Sequence, residues 1–325
     1  MTSTEKSASG ILRPSVPSPH RLRILVAVCT YRRNEPLATL LTSLIACAEA
    51  VSGEASVGVV VVDDNPDGDA KEVAEDFDSR FENGVTYRRS GKGNISIARN
   101  LALSTAAPVA DWIALTDDDC EAPKEWLKEY LKIQQQFDCD VVTGPLVLRA
   151  PTDAPRWVTD QPFFADAQFT DNDGAEKLEA ATNNSFYRAS LWEREPRVRF
   201  REDLGVLGGE DMVFYRTLQR SGAHIRFALN AKVYGNEPSD RCTFRSQVKS
   251  RFWLGNSEYI TNRVLQDATA TRLVLRGGRR LGAALLRPIS RGLTGLPPQW
   301  RYSVACVARS LGLLCGPLGV RWRHH

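Results

Sequence analysis

The 325-residue sequence lacks several features that would define whole classes of protein. None of its seven cysteines forms a C-x-x-C pair, and an odd number of cysteines argues against a fully oxidised disulfide framework. It has no uninterrupted apolar run of the roughly 20 residues that a membrane-spanning helix needs. Residues 1–20 are polar and lack the apolar core of a secretion signal, which predicts a disordered leader. These absences favour a protein of the reducing cytoplasm.

Charge is distributed unevenly along the chain, although the net charge is only +3. From residue 263 onwards there are eleven Arg, no Lys and one acidic residue, about +10, which leaves about −7 for the rest. Such a split predicts two surfaces with different partners. Nucleic acid is disfavoured as a partner, because the acidic part would repel phosphates and the basic residues are interleaved with apolar runs.

Short apolar runs alternate with helix-like segments, a pattern that predicts an α/β protein with a mostly parallel sheet and helices on both faces. Residues 150–181 show no clear periodicity and are interpreted as an irregular segment that covers the substrate. The predicted strands are 21–30, 57–62, 85–88, 111–116, 140–143, 225–229 and 232–234. The predicted helices are 36–50, 69–81, 95–105, one that starts at Pro123, 210–220 and 243–262.

The acidic triplet Asp117, Asp118 and Asp119 follows a predicted buried strand. Adjacent carboxylates repel one another by roughly 1 kcal/mol per pair even in water, so the triplet needs either a compensating cation or an offsetting cost elsewhere. Hard oxygen ligands suit Mg²⁺ or Mn²⁺, which usually bind a substrate diphosphate as well. Asp63 and Asp64 follow another strand. In both places the alternative is ordinary loop or helix-capping chemistry.

A second acidic group, Glu210 and Asp211, opens a predicted helix directly after Gly208 and Gly209. The two glycines would let the backbone approach a ligand closely. A carboxylate held there could accept a proton from a sugar hydroxyl. Helix capping is again the alternative, because acidic residues stabilise a first helical turn.

Seven short motifs carry a family resemblance by their order. They are 28–32 (VCTYR), 62–65 (VDDN), Gly93 followed by 98–100 (ARN), 116–119 (TDDD), 144–145 (GP), 183–184 (NN) and 208–211 (GGED). Together they resemble the family-2 inverting glycosyltransferases with the GT-A fold, over residues 21–262. Within that family the chain is most similar to bacterial enzymes of exopolysaccharide and cell-surface glycan synthesis.

The resemblance implies a role for each matching residue. Asp211 would be the catalytic base, with Glu210 orienting a sugar. Asp117 and Asp119 would bind the divalent metal, and Asp118 could share that role. The nucleotide-sugar site would consist of Thr30, Tyr31, Arg32, Asp63, Asp64, Arg99, Asp117, Asp118 and Asn184. The donor would be a nucleoside-diphosphate sugar, UDP-hexose in the first instance, and the acceptor a hydroxyl of a glycan or lipid-linked saccharide.

Two further features are open to two interpretations each. Arg241 and the segment 247–255 could place a basic residue at the diphosphate, or could form a solvated helix face. Trp157, Phe163 and Phe164 could form a platform for acceptor sugar rings, or could pack as a small satellite core.

Residues 263–325 are predicted to form a basic, amphipathic helical extension of the glycosyltransferase domain. Its Arg-punctuated apolar segments suit the anionic inner face of the cell membrane, which predicts peripheral attachment. The alternative is a helical hairpin packed on the catalytic domain.

Two rival functions remain open. A sugar nucleotidyltransferase would need a glycine-rich loop after the first strand, whereas residues 29–33 (CTYRR) contain no glycine. A noncatalytic nucleotide-sugar sensor would use Glu210 and Asp211 only to cap a helix.

Overall fold

A computed structural model describes residues 21–161, 171–296 and 299–323. The predicted α/β class is confirmed. The strands are β1 (Leu22–Thr30), β2 (Ala55–Asp63), β3 (Val85–Arg89), β4 (Trp112–Asp117), β5 (Cys120–Glu121), β6 (Val141–Thr143), β7 (Leu146–Arg149), β8 (Glu176–Lys177), β9 (Asn184–Arg188), β10 (Ile225–Phe227) and β11 (Val233–Asn236). The helices are α1 (Asn34–Ala50), α2 (Lys71–Asp76), α3 (Ile95–Ala106), α4 (Trp126–Gln136), α5 (Arg156–Thr159), α6 (Leu191–Arg194), α7 (Glu210–Arg220), α8 (Phe244–Val264), α9 (Ala270–Leu293) and α10 (Trp300–Cys315).

The main sheet has eight strands in the order β3-β2-β1-β4-β9-β6-β10-β8. Strands β1 to β4 pair in parallel, but β9 runs antiparallel to both of its neighbours and β8 runs antiparallel to β10. The sheet is therefore mixed, and β9 is a central strand that the sequence did not predict. A smaller sheet, β5-β11-β7, lies beside the acidic triplet.

Both faces of the main sheet are covered, which explains why its strands are nearly continuous apolar runs. Along β1, Ile24, Val26 and Val28 face a core shared with α1 and α4. The alternate residues Leu25 and Ala27 face a second core shared with α3 and α7. Burial on both faces fixes the strand register, and with it the position of the polar residues that follow each strand.

Two predicted helices differ from the structure. The helix expected to start at Pro123 begins at Trp126, because the chain first makes a turn in which the Trp126 amide donates to the Pro123 carbonyl at 2.9 Å. The helix predicted over 69–81 is reduced to α2 and a 3₁₀ turn at Asp78–Arg80. The Asp78 carboxylate accepts from the Val85 amide at 2.8 Å, and this tertiary bond turns the chain toward β3.

The C-terminal helices pack on the α/β domain and on one another. Helices α8 and α10 touch through glycine: a Cβ on Gly255 would lie 1.9 Å from the Arg309 carbonyl oxygen, and one on Gly312 would lie 2.0 Å from that of Phe252. Tyr259 and Ile260 of α8 share a core with Val213 of α7. Helix α9 buries only a narrow stripe. None of the described helices is long and apolar enough to cross a membrane.

Candidate active site

The carboxyl ends of β1, β2 and β4 meet at one edge of the sheet. Thr30 is in register with Asp63, and Cys29 is in register with Asp117. Ligands of open α/β sheets bind beyond this edge. The structure therefore brings the predicted residues of three separate sequence segments into one cleft.

Asp118, the middle residue of the acidic triplet, points into the protein interior. Asp118 is buried and accepts from the Thr30 hydroxyl at 2.8 Å and from Arg33 Nη1 at 3.0 Å. Arg33 also donates to Asp119 at 2.7 Å. Burial raises the pKa of Asp118 to about 6, although Arg33 and Thr30 act to lower it. Thr30 and Asp118, predicted as nucleotide contacts, thus bind each other, and Arg33 is a residue of this cleft that the sequence did not predict.

Arg99 joins the two acidic groups of the site. Its Nη1 donates to Glu210 at 2.5 Å and its Nη2 to Asp117 at 3.4 Å. Arg99 and Glu210 are both buried, so each requires the other's charge. Burial opposes the charge on Arg99, but Glu210 and then Asp117 raise its pKa overall. The sequence predicted that Arg99 holds the nucleotide, whereas the structure engages it with protein carboxylates.

Asp211 differs from its neighbours, because the described residues include no ion pair to it. Its Oδ1 accepts from the Met212 amide at 2.7 Å. Burial, followed by the charge of Glu210, raises the pKa of Asp211 to about 6, while Arg99 lowers it. A carboxylate with a pKa close to neutral is suited to act as a general base.

The two glycines before α7 serve packing. Gly208 and Gly209 have φ values of +84° and +85°, a left-handed backbone that favours glycine. A Cβ on Gly208 would lie 2.2 Å from the ring of Trp253, and one on Gly209 would lie 2.2 Å from the hydroxyl of Thr261. Helix α8 occupies the space on the Cβ side of both glycines, so the structure gives them a packing role, and their approach to a ligand stays a prediction.

Asp63 and Asp64 have different roles. Asp63 is fully buried and accepts from the amides of Asn65 and Ala70 at 2.9 and 3.0 Å, so it stabilises the turn after β2 instead of contacting a ligand. Asp64 Oδ1 accepts from the Ser90 hydroxyl at 2.7 Å, and from two backbone amides. Asp64 is thereby held rigidly at the sheet edge.

Tyr31 and Arg32 lie at the open side of the cleft. The Tyr31 ring is 46% exposed, and the Arg32 guanidinium lies 5.5 Å from its centroid. Arg32 has a left-handed backbone with a φ of +55°, and it bonds to Asn65 and Asp67 at 3.3 Å each. An exposed ring beside a cation is available to stack on a base.

Asn184 is not available to a ligand. It is fully buried, and its Nδ2 donates to the carbonyls of Pro145 and Ala231 at 2.8 and 2.7 Å. Its Oδ1 accepts from Trp126 Nε1 at 2.8 Å and from the Tyr130 hydroxyl. The predicted nucleotide contact is therefore a structural cross-link between β9 and its surroundings.

Arg241 and Trp157 belong to the two features that the sequence left open to two interpretations each. Arg241 lies 3.9 Å from Asp119, on the side where a diphosphate was expected. Trp157 packs against Phe244 and Arg301 of the C-terminal helices, as the satellite-core interpretation requires. Phe163 and Phe164 lie outside the described residues.

Two carboxylates of the triplet could hold a metal ion together with a substrate. Among the described residues, no group of three or more His, Cys, Asp or Glu side chains is arranged to hold an ion. The side chains of Asp117 and Asp119 are 41% and 26% exposed. Two hard carboxylates fit Mg²⁺ or Mn²⁺, which bind through one or two carboxylates together with substrate phosphates.

Known proteins are similar to this chain in sequence or in fold. Residues 25–194 match the sequence model of the family described as Glycosyl transferase family 2. The succinoglycan biosynthesis protein ExoM of Rhizobium meliloti (strain 1021) is 31% identical over 239 residues, which cover 73% of this chain and 74% of ExoM.

Solved structures of similar fold include Staphylococcus aureus TarS. The crystal structure of TarS residues 1–349 aligns with a TM-score of 0.52 at 15% identity, over 92% of both chains. Its complex with UDP aligns with a TM-score of 0.51 at 14% identity. The match spans 43% of a longer TarS chain. The predicted GT-A fold and the family resemblance are confirmed: the chain belongs to glycosyl transferase family 2.

Proposed function

We propose that the protein is an inverting glycosyltransferase that transfers a hexose from UDP to a hydroxyl of a glycan or lipid-linked saccharide in cell-surface polysaccharide synthesis. The observation that carries this proposal is Asp211, a carboxylate that forms no ion pair with the described residues and whose pKa is raised to about 6, beside the Arg99–Glu210 pair. Two similar proteins support the proposed donor and acceptor. ExoM is named for succinoglycan biosynthesis, and TarS was solved with UDP and UDP-GlcNAc.

The proposed reaction is one displacement. The acceptor hydroxyl gives its proton to Asp211 as its oxygen bonds to the anomeric carbon. The bond from that carbon to the diphosphate oxygen breaks, and UDP departs with the electron pair. Because attack and departure occur on opposite faces, an α-linked donor gives a β-glycoside. Asp64 and Tyr31 would bind the uracil, and Arg99 would keep Glu210 oriented toward the sugar.

Asp119, together with Asp117, would hold Mg²⁺ or Mn²⁺ with the donor diphosphate. When bound, such an ion neutralises charge on the leaving group. Arg33 and Arg241, whose guanidinium nitrogens lie 2.7 and 3.9 Å from Asp119, add positive charge on the same side.

A panel of nucleotide sugars tests this proposal. With Mg²⁺ or Mn²⁺ and an acceptor preparation, the protein should release a nucleoside diphosphate from at least one donor, and Asp119→Asn should raise the metal concentration needed. A sensor would bind the donor without release. A nucleotidyltransferase would instead release pyrophosphate from a nucleoside triphosphate and a sugar phosphate.

Attachment to the inner face of the cell membrane is also proposed, through α9. Leu275, Leu286 and Ile289 are each more than 60% exposed on this helix, which also carries exposed Arg side chains. Apolar residues flanked by arginines match an anionic lipid interface.

The double variant Leu286→Glu with Ile289→Glu should lose more than tenfold in partitioning onto phosphatidylglycerol-containing vesicles, since each buried apolar side chain contributes about 1.5–3 kcal/mol. Leu178→Glu, an exposed leucine outside the C-terminal helices, is the matched control. Equal partitioning of the double variant and the control would refute the attachment.

A further inference from the structure

A basic cleft of about 720 Å³ lies between the smaller sheet, α8 and the C-terminal segment, residues 321–323. Its walls carry the basic residues Arg241, Lys249, Arg251, Arg321 and Arg323. Trp253 and Trp322 supply aromatic surface, and Glu237 and Asp240 are its acidic side chains. Five basic groups against two acidic ones give this cleft a net positive charge, which favours an anion.

The basic cleft lies beside both acidic groups of the active site, the triplet and the Glu210–Asp211 pair. Arg241 on one wall lies 3.9 Å from Asp119 of the triplet. Trp253 on another wall donates from Nε1 to the Leu207 carbonyl at 2.8 Å and packs against Gly208, three residues before Asp211. The cleft therefore borders the leaving-group side through Arg241, and borders the loop that leads to the proposed base through Trp253.

The C-terminal segment is fixed in this wall by specific contacts. Asn256 of α8 is fully buried; its Oδ1 accepts from the Trp322 amide at 2.9 Å and its Nδ2 donates to the Val320 carbonyl at 3.1 Å. The rings of Phe252 and Trp322 meet edge to face at 5.3 Å. These bonds hold Arg321 and Arg323 at the cleft.

The positive charge of the cleft wall favours a negative ligand. Burial, followed by the charge of Arg309, lowers the pKa of Arg251. Cations held close together in a partly desolvated wall are stabilised by an anion. The planar guanidinium group of arginine matches phosphate oxygens in particular, because it can donate two parallel hydrogen bonds to them.

We propose that the basic cleft binds a phosphate or diphosphate group carried by the acceptor. This proposal rests on the proposed glycosyltransferase function and deepens it. The donor diphosphate belongs at Asp117 and Asp119, on the side of the cleft that Arg241 borders. The remaining basic residues of the cleft give the acceptor a second anion site beside it; they are Lys249, Arg251, Arg321 and Arg323. The aromatic walls at Trp253 and Trp322 offer apolar surface beside that charge.

Calorimetric titration with inorganic pyrophosphate tests the site without requiring turnover. The protein is first saturated with UDP in the absence of divalent metal, so that the donor site is filled. We expect pyrophosphate still to bind, and the variant Lys249→Glu with Arg323→Glu to bind it at least tenfold more weakly. Arg245→Glu, an exposed arginine of the same helix that does not line the cleft, should leave the affinity unchanged. Equal affinity in the double variant, or binding that UDP abolishes, would overturn the proposal.

A second titration with a short prenyl diphosphate identifies the source of the phosphate. Binding at least tenfold tighter than that of pyrophosphate supports a lipid-linked acceptor, and equal binding supports a soluble phosphorylated one. Failure of the function itself has a different signature: no donor would release UDP, while pyrophosphate binding and its loss on charge reversal would persist.

Discussion

Replacing Asp211 by Asn is expected to lower the rate of sugar transfer by about 10²- to 10⁴-fold, the usual contribution of a general base, and to leave donor binding unchanged. The substitution keeps the shape of the side chain but removes its ability to take a proton. Because the raised pKa shows that the charge of Asp211 is disfavoured in the folded protein, removing that charge should not destabilise it. At pH values above 6 the melting temperature of the variant should equal or exceed that of the wild type. Steady-state kinetics and thermal melting measure the two effects.

The same pKa sets the pH dependence of the wild type. A carboxylate with a pKa of about 6 is protonated and inactive below that pH, so transfer should rise through pH 6 and then level off. Asp203→Asn, which alters an exposed carboxylate outside the cleft, is the control and should keep the wild-type profile. Full activity in Asp211→Asn would contradict the assignment of the base.

Replacing Arg99 by Met is expected to lower the free energy of unfolding by about 3–5 kcal/mol, the usual cost of breaking a buried ion pair from one side. Glu210, Asp117 and Asp211 would then share one region without their common cation. The loss should shrink as the pH falls through 6, because Asp211, whose pKa burial raises to about 6, then takes up a proton. Transfer should be lost as well, since Glu210 is no longer held. Urea unfolding at two pH values measures the stability.

A compensating variant separates charge balance from packing. Arg99→Met combined with Glu210→Gln removes both members of the buried pair, and it should be more stable than Arg99→Met alone. If the double variant is equally unstable, the lost stability comes from packing of the Arg99 side chain and the charge account is incorrect.

The carboxylates that the sequence placed at the sheet edge follow from one rule of parallel sheets. Apolar runs that end abruptly in carboxylates mark β2 and β4, and their carboxyl ends must lie at the same edge. Asp64 and Asp117 were therefore found together without any structure. Glu210 and Asp211 were noted because they open a predicted helix after two glycines, and the family resemblance then implied that Asp211 is the base.

Tertiary hydrogen bonds determine which of the motif residues are free to bind a ligand, and the sequence does not show these bonds. Asp63 and Asn184 look like ligand-binding residues in a motif, but all of Asn184's polar capacity is used inside the protein. Arg33 stands next to Arg32 in the chain, and only the left-handed backbone of Arg32 and the burial of Asp118 distinguish the two. The central strand β9 was missed because its five residues, NSFYR, carry no distinctive period.

The configuration of the new glycosidic bond is the most direct test of a single displacement with Asp211 as base. The product formed from an α-linked UDP-hexose, once the panel has identified one, is analysed by proton NMR through the coupling of its anomeric proton. The proposed reaction predicts a β-linked product. An α-linked product would contradict it, because retention requires a different course of reaction at the anomeric carbon.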